Sequence, residues 1–262
     1  MPEGHTVHRM AIDHTKWFAD QIVNVSSPQG RFLEEASELD GDTFLRADAH
    51  GKHLFHHWSS GKITHIHLGL YGKFRLQKNP AASPRGAVRM RLIGRDRTLD
   101  LNGPNQCELL NESDRQRLMD RLGEDPLRED ADPERVWERF QRSRAAIGTV
   151  LLNQKIIAGI GNIYRAEILF MTGICPDRPA NQLSRSEFKA VWDLSVELLR
   201  TGVKYNRIIT VDRETLGKPL SRANARERTW IYKAVECPRC TNDVYYWDLG
   251  NRTIYACSMC QT

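Results

Sequence analysis

Four cysteines close the 262-residue chain in the spacing C-x2-C-x16-C-x2-C, at Cys237, Cys240, Cys257 and Cys260. No other feature constrains the fold as strongly. Each CxxC step delivers two thiolates from one tight turn, and tetrahedral zinc takes four of them. His, Arg, Asp and Lys interrupt the N-terminal segment, so it lacks the apolar core of a signal peptide and a reducing, cytoplasmic setting is expected. In such a setting paired CxxC units serve metals rather than disulfides. Between the pairs, Val244–Trp247 and Thr253–Ala256 read as two strands around an Asp248–Asn251 turn. The expectation is a β-hairpin zinc finger with one structural Zn²⁺, closed because all four positions are thiolates. Cys107 and Cys175 stand alone and read as fillers of apolar space.

Upstream the pattern divides in two. After a short helix around Thr6–Phe18, strands are expected at Ile22–Val25, Thr43–Ala49, His53–Trp58, Ile63–Leu68, Lys73–Gln77, Ala87–Ile93 and Thr98–Leu101. Turn-like pieces such as Ser59–Lys62 and Pro80–Gly86 separate several of them, which suggests an antiparallel sandwich or barrel. From about Glu112 the periodicity turns helical: Glu112–Leu122, Pro133–Gln141 opened by Asp132, Arg144–Asn153, Asn162–Met171 and Ser184–Thr201. Ser184 with Glu187 forms a capping box for the last of these. The reading is α+β with three parts: 1–125, 126–226 and a metal module at 227–262. A hydrophobic fraction of 40% with no run of 18 apolar residues leaves no transmembrane helix. The net charge of +5 is a weak hint of an anionic partner, sharpened by nine Lys and Arg against three acidic residues over Arg200–Lys233. A solvated loop explains the same run.

Four further stretches carry chemistry in more than one reading. The opening MPEG exposes the secondary amine of Pro2 once Met1 is trimmed, or is a disordered leader. Ala158–Phe170, AGIGNIYRAEILF, pairs a glycine turn with a helix start where Asn162 can cap and N–H groups would suit a phosphate; a packed helix-turn-helix fits equally. In AHGKHLFHHW, Lys52 faces solvent or a cleft, and the histidines around it need no metal because no carboxylate is interleaved with them. In LGLYGK, Leu70 and Tyr71 between glycines wedge into a base stack or turn inward.

Together PEG, GKHL, GxGNIYRxEILF and a four-cysteine finger with an internal Arg resemble the formamidopyrimidine-DNA glycosylase/endonuclease VIII family, in order from Pro2 to Cys260. The resemblance implies an N-terminal β-sandwich with a catalytic proline helix, a helix–two-turn–helix matched by Arg144–Met171, and the finger. It implies Pro2 as nucleophile, Glu3 as its acidic partner and Lys52 as the strand lysine of the active site. It implies Asn162 and Arg252 as phosphate ligands, Lys155 near the sugar-phosphate, and Leu70 and Tyr71 as fillers of the gap left by a flipped base. Asn102–Leu110 lacks the Arg and Phe void fillers of the purine branch, whereas Leu70-Tyr71 resembles the Gln-Leu-Tyr wedge of endonuclease VIII, with Gly69 in place of Gln. A bifunctional glycosylase/lyase for oxidised pyrimidines, working as a monomer on damaged double-stranded DNA and on single-stranded or bubble DNA, is the resulting expectation. The alternatives are an oxidised-purine glycosylase, a non-catalytic damage sensor on the same fold, and an N-terminal-proline tautomerase.

Overall fold

The computed structural model describes residues 2–262; Met1, and with it the expected trimming, lies outside the described residues. The chain forms two compact units, one of Pro2 and Val7–Arg121, the other of Glu3–Thr6 and Leu122–Thr262.

In the first unit, α1 (Gly4–Phe18, of which Val7 onward belongs here) leads into β1 (Gln21–Ser26), α2 (Leu33–Leu39), β2 (Asp42–His50), β3 (His53–Trp58), β4 (Ile63–His67), β5 (Lys73–Lys78), β6 (Val88–Ile93), β7 (Arg97–Asn102), β8 (Gln106–Leu110) and α3 (Glu112–Met119). The strands run antiparallel in the order β5-β7-β6-β1-β2-β3-β4-β8. β1 belongs to two layers: Gln21–Val23 pair with β2, and Asn24–Ser26 pair with β6. Phe44, Leu54, Trp58 and Ile66 from one layer and Met90, Leu92, Leu99 and Leu101 from the other fill a single buried core. That is the expected sandwich.

Two elements of this unit were not legible in the sequence. α2 has only seven residues, too few for a periodicity to show. β8 lies in Asn102–Leu110, where no strand is expected from the sequence, and it forms because β4 offers it a free edge, pairing His65 with Glu108 and Ile66 with Cys107. The carboxylate missing from the histidine-rich sequence therefore arrives from a distant strand.

The second unit contains α4 (Pro133–Gln141), α5 (Ile147–Val150), α6 (Asn162–Thr172), α7 (Arg185–Tyr205), α8 (Arg213–Leu216), and the hairpin β9 (Tyr245–Asp248) and β10 (Thr253–Ala256). Asp132 caps α4 through Glu134 N–H at 2.9 Å, and Ser184 and Glu187 form the capping box of α7. The helix expected over Arg144–Asn153 contracts to α5. Its backbone groups are used elsewhere: Ile147 N–H donates to Arg178, Gly148 N–H to Pro176, and Ala145 C=O accepts from Ala180. Phe140, Leu151, Ile160, Tyr164, Ile168, Phe188 and Leu199 form the helical core, and Phe170, Ile231, Val244 and Ile254 seat the finger. Among the described residues no helix is long and apolar enough to cross a membrane.

Candidate active site

Glu3 organises the second unit. Its side chain is fully buried, and its carboxylate accepts from Gly161 N–H at 2.9 Å, Ile163 N–H at 2.9 Å and Tyr164 N–H at 3.4 Å. These are the orphan donors at the start of α6, where the positive end of the helix favours an anion. The sequence reading offered these donors to a phosphate and the cap to Asn162. Both points need correction: Glu3 occupies the donors, and Gly161 is the N-cap with no side-chain cap bond. The glycine is required. A Cβ on Gly161 would lie 2.4 Å from Glu3 Cδ. Gly4 similarly passes Gly159, donating its N–H to that carbonyl at 2.8 Å. Burial, and then the charge of Glu3, push the Tyr164 phenol well above its ordinary pKa.

Asn162 and Arg165 tie α6 to the hairpin turn. Asn162 Nδ2 donates to Thr253 C=O at 2.9 Å, and its Oδ1 accepts from Arg165 Nη2 at 2.6 Å. The buried Arg165 guanidinium also donates to the carbonyls of Gly148 at 3.1 Å, Leu249 at 2.7 Å and Arg252 at 3.1 Å. Desolvation lowers its pKa to about 10, against the opposing charge of Glu3. Arg252 itself points its side chain into solvent from this anchored turn. Arg165 escaped the sequence reading because a helical arginine gives no hint that its partners lie in two other segments.

Glu167 escaped it for the same reason. It is buried and accepts from Trp230, Ile231 and Tyr232 N–H at 2.6, 2.9 and 2.8 Å and from the Thr210 hydroxyl. Burial raises its pKa despite these bonds. The carboxylate pins both ends of the basic segment between Thr210 and Trp230. Lys155 is exposed, after a turn in which its N–H donates to Asn153 Oδ1 at 3.0 Å.

In the first unit, Pro2 is half-buried. Lys52 is half-buried in the two-residue turn joining β2 and β3, whose first position, Gly51, has φ 55°. Gly there fits the type II′ hairpin geometry. Leu70 and Tyr71 point outward, 49% and 82% exposed, on a loop closed by Gly72 N–H to Leu68 C=O at 3.0 Å. Of the two readings of this pair, the inward one is thereby removed.

The four cysteines converge. Their sulfurs all lie within 4.8 Å of one another, with Cys237–Cys260 at 3.8 Å and Cys240–Cys257 at 3.4 Å. The edge of a tetrahedron with Zn–S of about 2.3 Å is about 3.8 Å, so the cluster fits zinc. These separations are well beyond the ~2.05 Å of a disulfide.

Formamidopyrimidine-DNA glycosylase N-terminal domains match residues 1–107, and the H2TH domain of the same enzymes matches residues 122–214. Endonuclease 8 1 of Mycobacterium tuberculosis is 42% identical over 268 residues, covering all of both chains. The chain belongs to the formamidopyrimidine-DNA glycosylase/endonuclease VIII family. Membership places it among the DNA glycosylases of base excision repair. A second member of the family, the formamidopyrimidine-DNA glycosylase of Syntrophomonas wolfei, is 31% identical over 228 residues, covering 86% of this chain and 84% of its own. The family fold is seen in the complex of Lactococcus lactis Fpg with abasic-site DNA, with a TM-score of 0.83 at 25% identity and 99% of each chain covered. The endonuclease VIII branch expected from Leu70-Tyr71 agrees with the name of the 42% identical relative.

Proposed function

We propose that this family member is a bifunctional DNA glycosylase and abasic-site lyase acting on oxidised pyrimidines in double-stranded DNA through an N-terminal Pro2 amine. The observation that carries the reading is the buried Glu3 carboxylate, anchored by three backbone N–H groups and adjoining Pro2 in the chain. A carboxylate held this rigidly positions the residue before it.

The Pro2 nitrogen attacks C1′ of the damaged nucleotide and the C1′–N bond to the base breaks, the base leaving with the Pro2 proton. The C1′–O4′ ring bond then opens as O4′ takes a solvent proton relayed by Glu3. The resulting iminium is cationic without further protonation, and Glu3 offers a fixed negative charge beside it. The iminium draws electrons from C2′. Loss of a C2′ proton then breaks the C3′–O bond and releases the 3′-phosphate, and a second elimination breaks C5′–O. Lys52 supplies positive charge for the departing groups. Arg252, Asn162 and Lys155 engage the backbone phosphates, which give affinity without sequence preference. Leu70 and Tyr71 fill the space of the extruded base.

Cys237, Cys240, Cys257 and Cys260 would hold a structural zinc ion, which cross-links the hairpin and offers no open coordination position for chemistry. Borohydride trapping across a panel of lesion-bearing duplexes tests the reading. A covalent adduct with thymine glycol or dihydrouracil is expected, and no adduct even on an abasic site would sink the enzyme. The formamidopyrimidine-DNA glycosylase of S. wolfei favours a second reading, an oxidised-purine enzyme, and the same panel separates the two.

A further inference from the structure

β3, β4 and β8 carry a row of titratable side chains that the proposed chemistry does not use. His53 Nδ1 lies 2.8 Å from His65 Nε2, and His65 Nδ1 lies 2.7 Å from Glu108 Oε1. The direction of this chain follows from its end. A carboxylate accepts, so His65 Nδ1 carries the proton and its Nε2 keeps a lone pair. His53 Nδ1 must then donate to it, which leaves His53 Nε2 as the basic end. Ring stacking holds the order: His53 lies on His65 at 5.1 Å and 19°, and Phe55 lies against His65 at 5.3 Å and 24°.

The two ends differ in their surroundings. His53 directly follows Lys52, whose positive charge acts on both His53 and His67. His65 has no exposed side chain, whereas Glu108 is 47% exposed and lines an open groove of about 490 Å³ with Asp114, Arg117 and Arg121.

We propose that His53, His65 and Glu108 form a proton relay that connects Lys52 with solvent and resets its protonation during turnover. The relay rests on the glycosylase/lyase reading for the reaction it serves. A proton leaves the Lys52 ammonium, directly or through water, for His53 Nε2. The Nδ1 proton of His53 passes to His65 Nε2, and the Nδ1 proton of His65 passes to Glu108 and on to the groove. Three N–H bonds break as two N–H bonds and the Glu108 O–H bond form, and the reverse transfer returns a proton and restores both tautomers. The histidines conduct rather than store charge. Burial, then the charges of His65, His67, His50 and Lys52, lowers His53 to about 3. Burial lowers His65 against the pull of Glu108.

Glu108→Gln separates transfer from structure, because the amide carbonyl still accepts from His65 Nδ1 but takes no proton. Single-turnover nicking of an abasic-site duplex, measured from about pH 5.5 to 9, is expected to slow about tenfold with DNA affinity unchanged, and Glu108→Asp should recover part of the rate. A Gln variant with the parent's rate and pH profile overturns the relay. Borohydride trapping of the parent tests the underlying reading separately. Imidazole ¹⁵N NMR then judges the relay itself: Nδ1–H tautomers at both histidines are expected, and an Nε2–H tautomer at His65 overturns it.

Discussion

Glu3 caps a helix whose N-cap, Gly161, lies 158 residues after it, and Gly161 is the residue that lets it in. The second residue of the proposed catalytic pair is thus fixed by backbone donors of the H2TH region. Adding a methyl group at Gly161 tests this. Gly161→Ala is expected to reduce borohydride trapping at least tenfold and duplex affinity by less, because only Asn162 of the proposed phosphate ligands adjoins it, while Arg252 and Lys155 lie elsewhere. Equal losses of trapping and affinity would contradict it.

Arg165 makes the Arg252 turn a part of α6. Replacing it with Met leaves the carbonyls of Gly148, Leu249 and Arg252 short of a donor. The expected cost is about 2–4 kcal/mol of stability, read from urea unfolding. Added phosphate-containing ligand should not restore it, and a cost below about 0.5 kcal/mol would show that the turn holds itself.

Arg252 is exposed on that turn, which suits a phosphate ligand. Arg252→Ala should weaken duplex binding and reduce the slope of log affinity against log salt by about one. The measurement is a salt titration by fluorescence anisotropy; an unchanged slope rules out the contact.

Zinc removal should act on the finger alone. Chelation is expected to release about one zinc per chain, lower the melting temperature and abolish binding, because the hairpin loses its cross-link. Readdition of Zn²⁺ should restore binding. A chelated protein that still binds DNA with parental affinity would separate the cysteines from the interface.

The first unit should be acid-sensitive. His14 and His56 are both fully buried, with His14 Nδ1 and His56 Nε2 3.0 Å apart. Burial lowers His14 from 6.5 to about 3 and His56 well below 6.5. The unfolded chain therefore binds more protons between 6.5 and about 3, and folding stability falls as pH drops through that window. Each such histidine costs about 1.4 kcal/mol per pH unit below 6.5. Urea midpoints from pH 7.5 to 5 check it, and His56→Leu should flatten the slope by one histidine's share. A slope identical to the parent's would show that His56 does not contribute.

Much of this protein was readable along the chain. The four cysteines, the capping box at Ser184 and Glu187, the Asp132 cap and most strands depend on neighbours within a few residues, so their physics is local. Ligand type and spacing were enough to expect the thiolates in one cluster. Tertiary structure decided the rest: that Glu3 rather than a phosphate fills the start of α6, that Arg165 bridges to the hairpin, and that Glu108 comes to rest against His65. Each of these needs two distant segments in one register. A buried charge or polar ring gains its partner only when packing places it there, and residue order alone does not specify that meeting.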